Sequence, residues 1–231
     1  ALRHPASAMA RIVVQGDLAH NNAVTLRANV APQISGNFFT VNLRNVRSAF
    51  EQVPWVRSAQ VRREYPRTLR VQLQEHRAVA HWGPESGSSM VNSEGEVFES
   101  NGVDAELDDL PRLMGPVGTS EQVLAMEQAL LPVFEPLGLE LSGLELSTRG
   151  GWRASFDGDA AIELGSGTPP EVVQRTRNFA ETLTRVAAQF GRRADALESA
   201  DLRHTGGYAL RLRGVSTVAT QGTPRTARKH N

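Results

Sequence analysis

Between Leu43 and Leu73 the spacing of apolar residues changes once, and that change fixes the kind of module this part of the chain can build. Leu43, Val46, Phe50 and Val53 fall at intervals of three, four and three, one helical stripe that Asn42 can cap and that ends where Val53 meets Pro54. From Ala59 the period drops to two. Ala59, Val61 and Tyr65 occupy odd positions with arginines between them, and after the turn "YPRT" Leu69, Val71 and Leu73 continue the odd face. Upstream, "ARIVVQG" reads as a short strand closed by glycine. Asn22 then caps a helix carrying Leu26, Val30 and Ile34 at four-residue spacing. The order strand, helix, helix, strand, strand over residues 10 to 80 predicts one α+β module.

The composition shifts at "GPESGSS", Gly83 to Ser89, a Gly- and Ser-rich loop, so a second module is expected from about Ala80. It opens with a strand candidate, "MVNSEGEVFES", turned at Glu94-Gly95, and with the short apolar segment "DLPRLMGP". Val123, Met126, Leu130, Val133 and Leu137 then share one helical face, with Pro132 inside the pattern predicting a kink or an early stop. "GLELS", "WRASF" and "AAIEL" follow, separated by "TRGG" and "DGD", and read as an antiparallel meander. In "GSGTPPEVV" the glycines suggest a phosphate cradle, but no Lys-Ser/Thr follows the last of them. Thr168 as cap, Pro169 at the first helical position and Glu171 three residues after the cap make a capping box instead. The helix it starts carries Val172, Thr176, Phe179, Leu183, Val186 and Phe190 on one face, expected in the core, and Arg175, Arg177 and Arg185 on the other, expected in solvent. In "SADLRHTGGYALRLRGV" Gly206-Gly207 marks a turn, and Tyr208, Leu210 and Leu212 alternate with Ala209, Arg211 and Arg213. This predicts a final strand at a sheet edge, which either is guarded by charge or accepts a partner strand.

No catalytic constellation emerges. His4, His20, His76, His81, His204 and His230 fit no metal-ligand spacing, and cysteine is absent, so thiolate sites and disulfides are excluded. Asp157 and Asp159 flank a turn glycine, where aspartate is favoured for its own backbone bonding, and the Asp108-Asp109 pair is likewise read as structural. "GPESGSS" is not a nucleophile elbow, and a hydrolase would need a nucleophile and base pair that the sequence does not offer. No catalytic, cofactor or metal residue is therefore assigned. Twenty-five basic residues balance twenty-five acidic ones, so nothing global holds the chain on nucleic acid or an anionic membrane, and any electrostatic partner must meet a local patch. Arg57, Arg62, Arg63, Arg67 and Arg70 near Tyr65 form one such patch. It reads as the solvent face of the hairpin, facing water, an acidic partner or lipid headgroups, rather than as a nucleic-acid site. No run approaches the length of a membrane span, and a start at Ala1 suggests a processed or truncated product.

"RIVVQG", "NFFTVNLRNVRSAFEQVPWVRSAQVRREYPRTLRVQLQEHRAVAHW" and "SEGEVF" resemble the FtsQ/DivIB family of bacterial cell-division proteins, through Asn-Phe-Phe, Pro54-Trp55-Val56, Arg62-Arg63, Tyr65-Pro66, Glu75-His76 and Trp82 in order. The resemblance extends less sharply through "DLPRLMGP" to "DLRHTGGYALRL". It implies an α+β fold: a POTRA domain over residues 10–80 followed by a mostly antiparallel β domain with flanking helices over 81–215. Residues 1–9 would be a remnant after a missing transmembrane helix, and 216–231 a disordered basic tail. It also implies a non-enzymatic divisome scaffold in the periplasm, anchored in the inner membrane, concentrated at the septum and without a cofactor. Such a scaffold binds FtsB and FtsL, with other divisome proteins meeting the POTRA domain. In the family FtsB adds a strand to the last β strand with support from the preceding helix, which by position points to Arg175, Arg203, His204, Gly206, Tyr208, Leu210 and Leu212. His204 and Leu212 stand where some members carry aromatics. The alternative is a POTRA-bearing outer-membrane assembly or secretion factor that binds client β strands. A single POTRA-like module and the absence of ten-residue alternating barrel strands speak against it.

Overall fold

A computed structural model of the chain describes residues 11–100, 106–204 and 206–215. The expected N-terminal remnant and C-terminal tail lie outside the described residues. The chain divides into two compact units. The first holds the described residues up to Gln128 together with Ser142–Thr148, and the second holds Ala129–Leu141 and the described residues from Arg149 onward.

The first unit opens with β1 (Arg11–Gly16), α1 (Ala23–Val30), α2 (Leu43–Glu51), β2 (Val56–Glu64) and β3 (Thr68–Glu75). Both predicted caps form: the Asn22 side chain accepts from Val24 N–H at 2.7 Å, and that of Asn42 from Arg44 N–H at 2.9 Å. Strand order is β1-β3-β2, with β1 parallel to β3 and β2 antiparallel to it. Register pairs Ala59 with Leu73 and Val61 with Val71, so the odd face of the hairpin meets Leu26, Val30, Val46 and Phe50 from the helices in one core. Ile34 and Val53 lie just past their helix ends and pack on this core half-buried. At Gly16 the backbone sits at φ 112°, and a Cβ there would stand 2.3 Å from the Leu73 carbonyl oxygen, so only glycine allows the parallel strands to approach so closely.

The arginines of the hairpin depart from expectation. Arg63 lies on the odd, helix-side face, where its guanidinium donates to the carbonyls of Phe38 at 2.9 Å and Val41 at 2.6 Å and so fastens the Asn37–Val41 loop. Arg70 forms a forked pair with Glu64, donating from Nε at 2.5 Å and from Nη2 at 2.6 Å, and reaches Gln15 at 2.6 Å, so the Glu64 carboxyl is held below its usual range. Arg57 donates to Glu96 at 2.7 Å. The patch is largely neutralised or bonded within the chain rather than forming a simple solvent face.

The same unit continues with β4 (Ala78–Trp82), β5 (Ser89–Asn92), β6 (Val97–Glu99), β7 (Arg112–Met114) and β8 (Leu141–Leu146), in the spatial order β8-β7-β4-β5-β6. β4·β5 and β5·β6 are antiparallel, while β4·β7 and β7·β8 are parallel. Trp55, Met90 and Phe98 build a second core, in which Trp55 is held at φ 71° by stacking on His20 at 3.6 Å and an edge contact with Phe98. A bulky residue in the left-handed region is a strained position sustained by such contacts. α3 (Ser120–Phe134) spans the division between the units, and Pro132 is followed two residues later by its end, the predicted early stop.

The second unit is built from β9 (Gly151–Phe156), β10 (Ala161–Ser166), α4 (Pro169–Gln189), β11 (Leu197–Asp201) and β12 (Ala209–Leu212). β9 and β10 make the predicted hairpin across Asp157-Gly158-Asp159. β11 runs parallel to β10 and antiparallel to β12, which ends the strand order. The segment read as one final strand is thus two strands. α4 begins at the predicted capping box, with Thr168 N–H donating to the Glu171 carboxylate at 2.7 Å, and that bond holds the Glu171 carboxyl below its usual range.

Candidate partner-binding site

Backbone direction along β11 and β12 determines what the final strand offers. Leu202 N–H donates to Glu163 of the β10 strand at 2.8 Å, and Arg213 N–H donates to Ala196 at 2.8 Å. Backbone groups alternate sides along a strand, so Arg211 and Ala209, which pair with Ser199 and Asp201, turn inward to β11. Leu210 therefore directs its N–H and C=O, and Leu212 its N–H, off the edge of the sheet, while the Leu212 C=O accepts from Val215 N–H at 3.2 Å. This is a ready template for one more strand.

Side chains alternate with the same period. Leu212 is buried, Leu210 and Tyr208 are half-buried on the α4 side, and Ala209 and Arg211 are exposed on the other face. The Tyr208 ring meets Phe179 of α4 edge-on at 5.4 Å between centroids. Beside it an open groove of about 1290 Å³ runs between the strand and the end of α4, lined by Val186, Phe190, Tyr208, Leu210, Leu212 and Val215. Val186 and Phe190, expected in the core, are half-buried and 55% exposed respectively. Phe190 lies about five helical turns beyond fully buried Val172 and points the same way. Among the described residues no strand lies beyond β12 to cover it.

The remaining predicted residues stand apart from the groove. Arg175, expected in solvent, turns back to donate to the carbonyls of Leu164 at 2.6 Å and Ser166 at 3.0 Å. A Cβ built on Gly165, where φ is 82°, would lie 2.8 Å from Arg175 Nη1 and 3.6 Å from Arg203 Cα, so both arginines gather at the end of β10. Arg203 forms a forked pair with Asp201, at 2.9 and 2.6 Å, and its backbone N–H donates to the same carboxylate at 3.0 Å. These bonds hold the Asp201 carboxyl down at about 2. His204 Nε2 lies 3.9 Å from Asp201, and Gly206 is exposed in the turn between the strands. Six of the seven residues thus form two groups, Tyr208, Leu210 and Leu212 on the groove and Arg175, Arg203 and His204 around Gly165 and Asp201, with Gly206 in the turn between β11 and β12. Val186 and Phe190 were missed because a helical stripe looks the same in sequence whether or not a strand lies under its last turn, and Val215 because it lies past the alternating run of β12.

Among the described residues no cluster of His, Asp and Glu could hold a metal ion, and no helix is long and apolar enough to cross a membrane. His76 stacks on Phe98 at 4.2 Å with its Nδ1 2.9 Å from Asn92 Nδ2, and burial pushes its pKa below the usual histidine range. His81 Nε2 lies 2.9 Å from the Leu107 carbonyl oxygen.

A strand-helix-helix-strand-strand module followed by a mostly β domain with flanking helices defines a class, the POTRA-bearing proteins, and residues 7–76 match the POTRA domain of FtsQ type. Residues 80–203 match the C-terminal region of the cell-division protein FtsQ/DivIB, and the chain belongs to that family of cell-division proteins. It is 38% identical over 204 residues to the cell division protein FtsQ of Thiomonas arsenitoxydans, covering 87% of this chain and 74% of that protein. It is 36% identical over 219 residues to that of Burkholderia pseudomallei, covering 93% and 83%. With the FtsQ of Bordetella pertussis the identity is 36% over 200 residues, covering 81% and 71%. The family match ends at Arg203, ahead of β12.

Proposed function

We propose that this chain is a non-catalytic divisome scaffold whose POTRA domain occupies residues 10–80 and whose β domain, residues 81–215, binds FtsB, and with it FtsL, by strand addition along β12. The scaffold would act in the periplasm, held in the inner membrane by a segment N-terminal to this region and concentrated at the septum. The observation that carries the reading is the coincidence of an open backbone edge at Leu210 and Leu212 with an apolar groove floored by Val186 and Phe190. Main-chain pairing supplies affinity, and the groove selects the partner's alternate side chains. Arg175 and Arg203 would serve less by free charge than by shaping the end of β10, since both already hold partners within the chain.

Leu210→Pro tests this cleanly, because its N–H points off the edge and the β11·β12 ladder keeps its bonds. Calorimetric titration with the periplasmic segment of FtsB from the same organism should give saturable binding that weakens about tenfold or more in the variant, the loss of one well-made hydrogen bond. Equal binding by both would move the site off β12. No binding by either chain would sink the proposed docking of FtsB on this region.

A further inference from the structure

The neutral total charge conceals an uneven distribution. Residues 11–80 carry ten arginines, no lysine and four carboxylates, a net charge of +6 in a chain whose formal net charge is zero. No acidic residue occurs between Asp17 and Glu51, and Glu75 is buried, 5% exposed, accepting from Asn21 and from the His20 backbone. Glu64 is held by Arg70 and lies 3.3 Å from Arg62. Glu51 pairs with Arg47 at 2.8 Å, and Arg57 with Glu94 and Glu96 at 3.4 and 2.7 Å, so the positive field that is left belongs to arginines such as Arg11, Arg63 and Arg67.

One end of this module also exposes its largest apolar side chains. Tyr65, on the β2–β3 turn, is 85% exposed, and Phe39, in the loop before α2, is 62% exposed. Both stand against the buried Phe38 ring, at 6.4 and 5.1 Å between centroids, so they project from a fixed floor. Arg63 fastens that loop through the Phe38 and Val41 carbonyls. β1 starts at the same end, where Arg11 N–H donates to the Arg67 carbonyl at 2.8 Å, which brings two further arginines beside Tyr65.

We propose that this end, with Tyr65 and Phe39 projecting among Arg11, Arg63 and Arg67, docks on an anionic lipid surface. A phenol and a phenyl ring projecting from a turn and a loop suit the headgroup boundary, where an amphipathic ring keeps its hydroxyl wet and its face in the acyl layer. The state of the arginines favours a diffuse anionic surface over a single acidic ligand. Arg63 has committed its guanidinium donors to the Phe38 and Val41 carbonyls, which carry no net charge, so it offers charge without directed bonds, whereas Arg70 is neutralised by Glu64. Charge alone is what attraction to an anionic bilayer requires. Exposure and charge carry the proposal independently of the groove. The N-terminal anchor proposed above adds only that this end would be the first to meet a bilayer, so the test uses the unanchored chain.

The experiment is co-sedimentation of the 231-residue chain with vesicles of phosphatidylglycerol and phosphatidylcholine mixed, and of phosphatidylcholine alone, at 0.05 to about 0.3 M salt, a range over which surface charges become screened. Binding should need the anionic lipid and fall with salt. Tyr65→Ser with Phe39→Ser should weaken it at least tenfold, and Arg11→Glu with Arg67→Glu by more than that, at about fivefold for each positive charge removed. Circular dichroism establishes that the variants fold, and Phe190→Ser serves as a control that should bind vesicles as the parent does. Absence of binding to anionic vesicles at 0.05 M salt, or equal loss in the Phe190→Ser control, overturns the proposal. So does undiminished binding by folded tip variants. FtsB titration of the same variants reads the groove separately, so failure of either proposal is recognised by itself.

Discussion

The end of the POTRA module and the groove beside β12 both expose aromatic rings, yet they differ in what their backbones have left to give. Around Tyr65 and Phe39 the loop carbonyls of Phe38 and Val41 are taken by Arg63, so that surface presents rings and charge but few directed bonds. Beside Phe190 and Val186 the order is reversed: the apolar wall borders a strand along which the outer groups of Leu210 and the N–H of Leu212 meet no further strand among the described residues. Exposure of an aromatic ring therefore says little by itself about the partner. The neighbouring hydrogen-bond inventory separates a surface suited to a deformable interface from one suited to an added strand.

The sharpest way to break that comparison is within α4. Phe179 and Phe190 belong to one stripe, but Phe179 is fully buried against Tyr208 and Phe190 is 55% exposed. Phe179→Ala should cost about 3–5 kcal/mol in denaturant unfolding, a cavity that the surrounding sheet fills only in part. Phe190→Ala should stay within about 0.5 kcal/mol of the parent, as surface substitutions do, while FtsB titration registers its loss. A large stability loss at Phe190 would show that the groove closes in solution.

The corresponding contrast in the POTRA module runs from one end of β3 to the other. Glu75 closes the strand with a buried carboxylate that accepts from the backbone N–H of His20 and the side chain of Asn21, both at 2.9 Å. Glu75→Ala leaves those donors without their acceptor and should destabilise by about 3 kcal/mol. Tyr65→Ser, at the exposed end, should change unfolding by less than about 0.5 kcal/mol. Comparable losses at the two positions would mean that Tyr65 is held in a packed site rather than projecting.

Much of this was legible in the residues. The switch from helical to alternating period around Pro54 located α2 and the β2–β3 hairpin, and Thr168, Pro169 and Glu171 located the start of α4, because caps and periods act over a few residues. The family resemblance pointed to Tyr208, Leu210 and Leu212, which the structure gathers on one groove. Long-range pairing was not legible. β11 passed unnoticed because Leu197–Asp201 is too short and polar to show a period. Arg175 and Arg63 read as solvent residues because their acceptors are carbonyls distant in sequence, and a carbonyl leaves no mark on composition.

The smallest expected effect concerns the arginine group beside the groove, and it distinguishes a committed guanidinium from a free one. Asp201 is held down from an ordinary 3.8 to about 2, first by the side-chain pair with Arg203 and then by the Arg203 backbone N–H. A depressed carboxyl contributes stability that is present above its unfolded value and is lost as the pH falls through its folded value. The contribution should therefore be complete above about pH 4 and gone near pH 2, and it should be small, since Arg203 lies at the surface. Carbon-detected NMR titration should find Asp201 near 2 in the parent and partway back toward 3.8 in Arg203→Ala, where the backbone bond remains. Repeating the titration with the FtsB segment bound tests the division of roles proposed here. An unmoved Asp201 keeps Arg203 as a brace for the end of β10. A rise toward 3.8 would show that Arg203 leaves Asp201 for a carboxylate of the partner, which would place it in the interface alongside the strand.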